Sequence, residues 1–134
     1  MMARILCISF FAATIMLQGC SEDNENHLIT EDAYSGIFYR MYPQARILTS
    51  EVTLNLDNGK FSGSSSMDNY PAICNGTFEI QRNTIEFTNG CAFTADFDWS
   101  FILDGTYEID EQDNYTYFIQ EVEPEVYNIF RFPK

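Results

Sequence analysis

Thr77-Phe78-Glu79-Ile80-Gln81-Arg82-Asn83-Thr84-Ile85-Glu86-Phe87-Thr88 decides the fold of this chain. Phe78 and Ile80 share one parity, with Thr77, Glu79 and Gln81 on the other. After Arg82-Asn83 the pattern repeats, with Ile85 and Phe87 set against Thr84, Glu86 and Thr88. Strict alternation on both sides of a two-residue turn is the pattern of a β-hairpin with one dry and one wet face. With Arg82-Asn83 as the loop, partners across the ladder have numbers that sum to 165, so Ile80 opposes Ile85 and Phe78 opposes Phe87. Cys74 and Cys91 satisfy the same sum. Counting outward from the turn puts them at a non-hydrogen-bonded site, where Cα atoms approach to about 4.5 Å. That is the short end of the disulfide range. The bond would close a loop of about 18 residues and stabilise by roughly 3 kcal/mol on chain-entropy reasoning. A bulge near Gly76 or Gly90 would shift the pairing without forbidding it.

Working outward, the same period recurs. Ile37, Tyr39 and Met41 alternate, and so do Val52, Leu54 and Leu56 against Thr53 and Asn55. Asp57-Asn58-Gly59 is a strong hairpin signal, since Asn and Gly tolerate positive φ. Phe93, Ala95, Phe97, Trp99, Phe101 and Leu103 fill successive odd positions, which predicts the longest strand of the fold, with that row inward. Asp104-Gly105 and Asp110 to Asn114 read as turns into strands beginning at Thr106 and Tyr115, and Val126 to Phe132 reads as a last strand. No convincing helical period is present. Eight or nine short strands joined by tight turns predict an all-β fold: one antiparallel up-and-down barrel, or a closely related sandwich, with one disulfide.

At the N-terminus, Arg4 precedes a run from Ile5 to Leu17 that is almost wholly apolar and ends in Leu17-Gln18-Gly19-Cys20. The run is short of the ~20 residues that span a bilayer, and polar residues follow it. Leu17, three residues before Cys20 with Gly19 between, resembles the lipobox of bacterial lipoproteins. The resemblance implies a signal peptide over 1–19, cut before Cys20, whose thiol then carries lipid. Residues 20–34 read as an acidic flexible tether and 35–134 as the β-domain. Cys7 leaves with the signal and Cys20 is consumed by lipid, so Cys74 and Cys91 are the pair left in an exported compartment where disulfides persist.

About 115 residues remain after residue 19, enough for one domain and too few for two. The full chain carries a net charge of −13; loss of Arg4 leaves six Lys and Arg against twenty Asp and Glu, a net −14. So acidic a chain is repelled by phosphates, which excludes nucleic acid and electrostatic docking on anionic lipid.

No side-chain constellation amounts to a catalytic or cofactor site, and no enzyme activity or cofactor is expected. His27 is the only histidine and falls in the tether, where nothing holds a catalytic base in place. One His and two disulfide-bound Cys do not make a zinc site. Asp96 with Asp98, and Glu79 opposite Glu86, are paired carboxylates on solvated strand faces. Asp110-Glu111-Gln112-Asp113-Asn114 has calcium-loop composition but lacks the glycine and distal glutamate of an EF-hand. The aromatic row Phe93, Phe97, Trp99 and Phe101 is the one candidate for ligand contact; it either fills the barrel or lines a cavity.

Ser21-Glu22-Asp23 after Cys20 resembles the acidic export signal of Bacteroidetes-type lipoproteins, which implies an outer-membrane, outward-facing position. Phe61-Ser62-Gly63, the run Tyr70-Pro71-Ala72-Ile73-Cys74-Asn75-Gly76-Thr77, and Asp96 to Gly105 with Tyr107 are similar to small lipocalin-like lipoproteins of those bacteria. The similarity covers about a third of the chain and implies a barrel without a known activity. No Gly-x-Trp opens the first strand, unlike lipocalins that hold retinoid or haem. Two functions are therefore expected to compete. One is a lipid-anchored, non-enzymatic module that binds a protein of the cell envelope. The other is a barrel that holds a small apolar or amphipathic ligand.

Overall fold

Alternating segments become eight antiparallel strands: β1 (Ala33–Met41), β2 (Thr49–Asp57), β3 (Lys60–Ser65), β4 (Asn75–Gln81), β5 (Thr84–Asn89), β6 (Gly105–Gln112), β7 (Tyr115–Glu123) and β8 (Val126–Pro133). Each pairs with the next, and β1 pairs with β8, so the sheet closes into an up-and-down barrel with no free edge. This computed structural model describes residues 29–45, 47–94 and 96–134. The leader, Cys20 and His27 lie outside the described residues, as do Arg46 and Ala95.

The hairpin register is the one the sequence predicts. Phe78 opposes Phe87, Ile80 opposes Ile85, and the ladder runs without a bulge from Gln81↔Thr84 to Gly76↔Asn89. Asn58 and Gly59 both take positive φ, 48° and 71°, as a two-residue hairpin turn requires. Cys74 and Cys91 are bonded. Their Cα atoms stand 6.3 Å apart rather than about 4.5 Å, because the two chains diverge beyond the ladder. The Cys74 carbonyl accepts the N–H of Gly63 on β3, and the Asn89 side chain bends the chain at Cys91 by bonding both its N–H and its carbonyl.

The barrel interior is filled by its own rings. Phe38, Phe118 and Phe130 have no exposed surface, and Phe61, Phe87, Tyr107 and Phe132 have almost none. Edge-to-face and tilted contacts link strands that are not neighbours in the barrel: Phe61 to Phe87 at 5.2 Å, Phe87 to Phe118 at 6.3 Å and Tyr34 to Phe118 at 6.3 Å. On β1 the inward set is Tyr34, Phe38 and Arg40. The alternating Ile37, Tyr39 and Met41 face outward, because both β1 ladders put even positions inside.

Two expectations are corrected. Among its described residues, the row from Phe93 to Leu103 forms no strand. Between Gly90 and Gly105 the described residues are irregular, with one short 3-10 turn at Trp99–Phe101. Both edges of β5 are taken, by β4 and β6, so closure leaves no ladder for a further strand. Asp98 also caps the turn locally, accepting from the Ser100 N–H at 2.9 Å, an arrangement that competes with extended pairing. The second correction concerns the tether. Ile29 is 5 % exposed and joins the core, so the packed domain reaches back at least to Ile29 and takes in part of the segment expected as tether. Glu31 accepts the Asn58 N–H at 2.6 Å and the Asp32 carbonyl accepts that of Leu56 at 2.9 Å, which lays this segment across the β2–β3 turn.

Candidate functional site

Up-and-down topology sorts the connections by end. Two-residue turns at Asn58-Gly59, Arg82-Asn83 and Asp113-Asn114 lie at one end, beside Ile29 and the C-terminus. The other end carries the long β1–β2, β3–β4 and β5–β6 loops. The latter two are joined by the Cys74–Cys91 bond and by a parallel bridge between Ala72 and Ile102, and Ala72 and Leu103 are buried beneath. Three loops thus make one cap over the barrel.

A buried arginine holds that cap. Arg40 ends the inward row of β1 and is 3 % exposed. Its Nε donates to Asn128 Oδ1 at 2.8 Å, its Nη1 to Asp98 Oδ2 at 3.1 Å, and its Nη2 to the Ser100 carbonyl at 3.0 Å and hydroxyl at 2.9 Å. Phe101 lies flat against the guanidinium, 3.6 Å from ring centre to Cζ, which adds a cation–π contact. Asn128 also donates to the Ser100 carbonyl at 2.8 Å. Tyr70 donates to the Leu48 carbonyl and accepts the Arg40 N–H, both at 3.0 Å, so the β1–β2 loop is tied to the same knot. Every buried polar side-chain atom among the described residues has a partner, as a buried charge requires.

The electrostatics follow from this wiring. Hydrogen bonds from the Ser100 hydroxyl and N–H, then the charge of Arg40, hold the Asp98 carboxyl below the usual carboxylate range. Burial pushes the Tyr107 hydroxyl above its ordinary value, against a weaker opposing effect of its bond to Asn128, so it stays neutral at physiological pH. No group of three His, Cys, Asp or Glu side chains able to hold a metal ion occurs among the described residues.

The cap exposes apolar surface. Of the six large apolar side chains that stand well exposed among the described residues, five sit at this end: Met41 38 %, Tyr42 42 %, Ile47 49 %, Leu48 54 % and Trp99 60 %. The aromatic row expected as ligand lining or core is split up. Phe101 packs on the core beside Tyr70 and Phe38, Phe93 and Phe97 pair with each other at 5.8 Å, and Trp99 faces out from the 3-10 turn. Trp99 is outward because Asp98 and Ser100, on either side of it, are drawn in to Arg40. Glu79 and Glu86 do face each other across the ladder, exposed on the outer wall. Asp96 and Asp98 share no strand face, since there is no strand. Sequence reading did not single out Arg40, although a lone charge on the parity of Tyr34 and Phe38 was a usable signal.

No known protein family, curated protein or solved structure matches this chain.

Proposed function

We propose that this chain is a lipid-anchored barrel of the outer membrane or cell surface that acts without catalysis, binding a protein partner through its loop-bearing end. The observation that carries this reading is the contrast between an interior occupied by its own rings and a cap that leaves Ile47, Leu48 and Trp99 in solvent. Apolar side chains gathered at one place on an acidic surface are what interfaces are made of. The position of Ile29 also supports it. An anchor at Cys20 would join the barrel at the turn-bearing end, through nine residues that reach at most roughly 30 Å, and so present the cap away from the lipid. The competing function, a ligand held inside, would need space that these rings occupy.

A photocrosslinking residue placed at Leu48 in living cells tests the reading, with Lys60 at the opposite end as control. A discrete protein adduct from Leu48 and none from Lys60 is expected. Adducts of equal pattern from both positions, or a small molecule retained one-to-one in native mass spectrometry of the purified protein, would overturn it. Cys20→Ser should leave the precursor uncleaved and without lipid, seen as a higher mass and the loss of palmitate label.

A further inference from the structure

A second surface, on the side of the barrel, goes beyond the cap. Around most of the barrel the outward residues are polar: Thr53 and Asn55 on β2, Ser62 and Ser64 on β3, Thr77 and Glu79 on β4, Glu86 and Thr88 on β5. Across β7, β8 and β1 the outward row changes character. Tyr117 and Ile119 on β7 lie beside Arg131 and Ile129 on β8, and these beside Ile37 and Tyr39 on β1. Ile129 is only 6 % exposed, yet it stands outside the core cluster: it is buried on the outer wall by its own neighbours. A strand covered on both faces is what buried sheets show, and an antiparallel barrel wall ordinarily stays wet outside. An open groove of about 630 Å³ continues this wall past Ile37, Arg131 and Tyr115.

Charge says what fits there. Glu108 and Asp110 flank the wall on β6, Glu51 flanks it on β2, and Glu121 stands beside Tyr127 at its upper edge. The two ion pairs among the described residues, Arg40–Asp98 and Lys134–Glu111, involve none of these four carboxylates. Arg131 is the wall's own cation, set over the Tyr115 ring at 4.9 Å. A second copy of this chain carries the same excess of four carboxylates over one arginine on this wall, so two such walls repel. We infer that the β7–β8–β1 wall binds a basic polypeptide segment, whose apolar side chains cover Tyr39, Tyr117 and Ile119 while its Lys or Arg residues meet Glu51, Glu108, Asp110 and Glu121. This surface is independent of the cap, so either can fail alone.

The test uses a labelled amphipathic peptide of leucine and lysine, titrated at physiological ionic strength, with a leucine–glutamate peptide as control. Binding of the lysine peptide alone is expected. Glu108→Gln with Asp110→Asn should weaken it about tenfold, and Ile119→Thr by a similar factor. Glu79→Gln with Glu86→Gln, the same charge change on the polar wall, should alter it by less than about twofold. Equal weakening by the two double variants would reduce the effect to diffuse charge and overturn the inference. So would binding unaffected by Ile119→Thr, no binding at all, or a concentration-dependent dimer that Ile119→Thr abolishes.

Discussion

The two ends of this barrel are closed by different physics. At the turn-bearing end the chain reversals are local: two residues turn each hairpin, with Asn58 and Gly59 at positive φ, and the entering segment from Ile29 to Asp32 is laid over one of those turns by a backbone hydrogen bond from Leu56 and one from the Asn58 N–H to the Glu31 side chain. At the loop-bearing end closure is long-range. Arg40 reaches residues 58, 60 and 88 positions away, and a disulfide joins loops 17 residues apart. Local closure leaves short, polar turns with little to offer a partner. Long-range closure lets loops stand out and expose Leu48 and Trp99 while their neighbours stay fixed, which is how binding loops are carried by a rigid scaffold.

If that contrast is right, removing the arginine should have the largest effect. Arg40→Ala strips Asn128 Oδ1 of its donor, takes one of two donors from the Ser100 carbonyl and leaves the Phe101 ring without its cation, a loss of about 3–4 kcal/mol in denaturant unfolding. Normal stability would mean the cap holds without it. Replacing Cys74 and Cys91 by Ser should cost roughly 3 kcal/mol. In hydrogen exchange the loss of protection should start at Ala72 and Leu103, with the β2–β3 turn unaffected; protection lost first at the turns would reverse the assignment of ends. Ile29→Ala should cost about 2 kcal/mol and open the turn-bearing end alone, visible as faster exchange at Leu56 and Asn58. Asp98→Asn should be the mildest of the four, about 0.5 kcal/mol, since that carboxylate is 55 % exposed and well screened. Its sign with pH is fixed. Because the folded pKa lies below the unfolded one, the contribution is present above the unfolded value of about 4 and fades as pH falls through the lowered folded value. The wild type should therefore lose its advantage over Asp98→Asn in acid.

The same division governs what the sequence makes legible. The β4–β5 hairpin could be placed to the residue, since its turn and its alternation lie within one short window and the cysteines share its register. The stretch from Phe93 to Leu103 alternates just as cleanly and is no strand. Period two records which side chains alternate between dry and wet, and a loop laid over a core can satisfy it as a ladder does. Only closure of β5 between β4 and β6 decides between them, and that is a property of the whole chain. The outer wall was legible in principle. Tyr117, Phe118 and Ile119, or Ile129 and Phe130 followed by Phe132, are apolar on both parities, which a half-buried strand does not need. The Arg40 network was not legible: its partners Asp98, Ser100 and Asn128 come from distant segments that only folding unites.

Trp99 is the chain's single tryptophan, so its fluorescence reads one site. The interior is packed by other rings, and Trp99 stands on the cap, 60 % exposed. Folded protein should then emit close to the unfolded spectrum and be quenched readily by iodide, even though this acidic protein repels that anion. Trp99→Ala should cost well under the ~3–5 kcal/mol of a core aromatic. A blue-shifted emission shielded from iodide, together with a loss of about 3–5 kcal/mol in Trp99→Ala, would place the ring in the core and contradict the account.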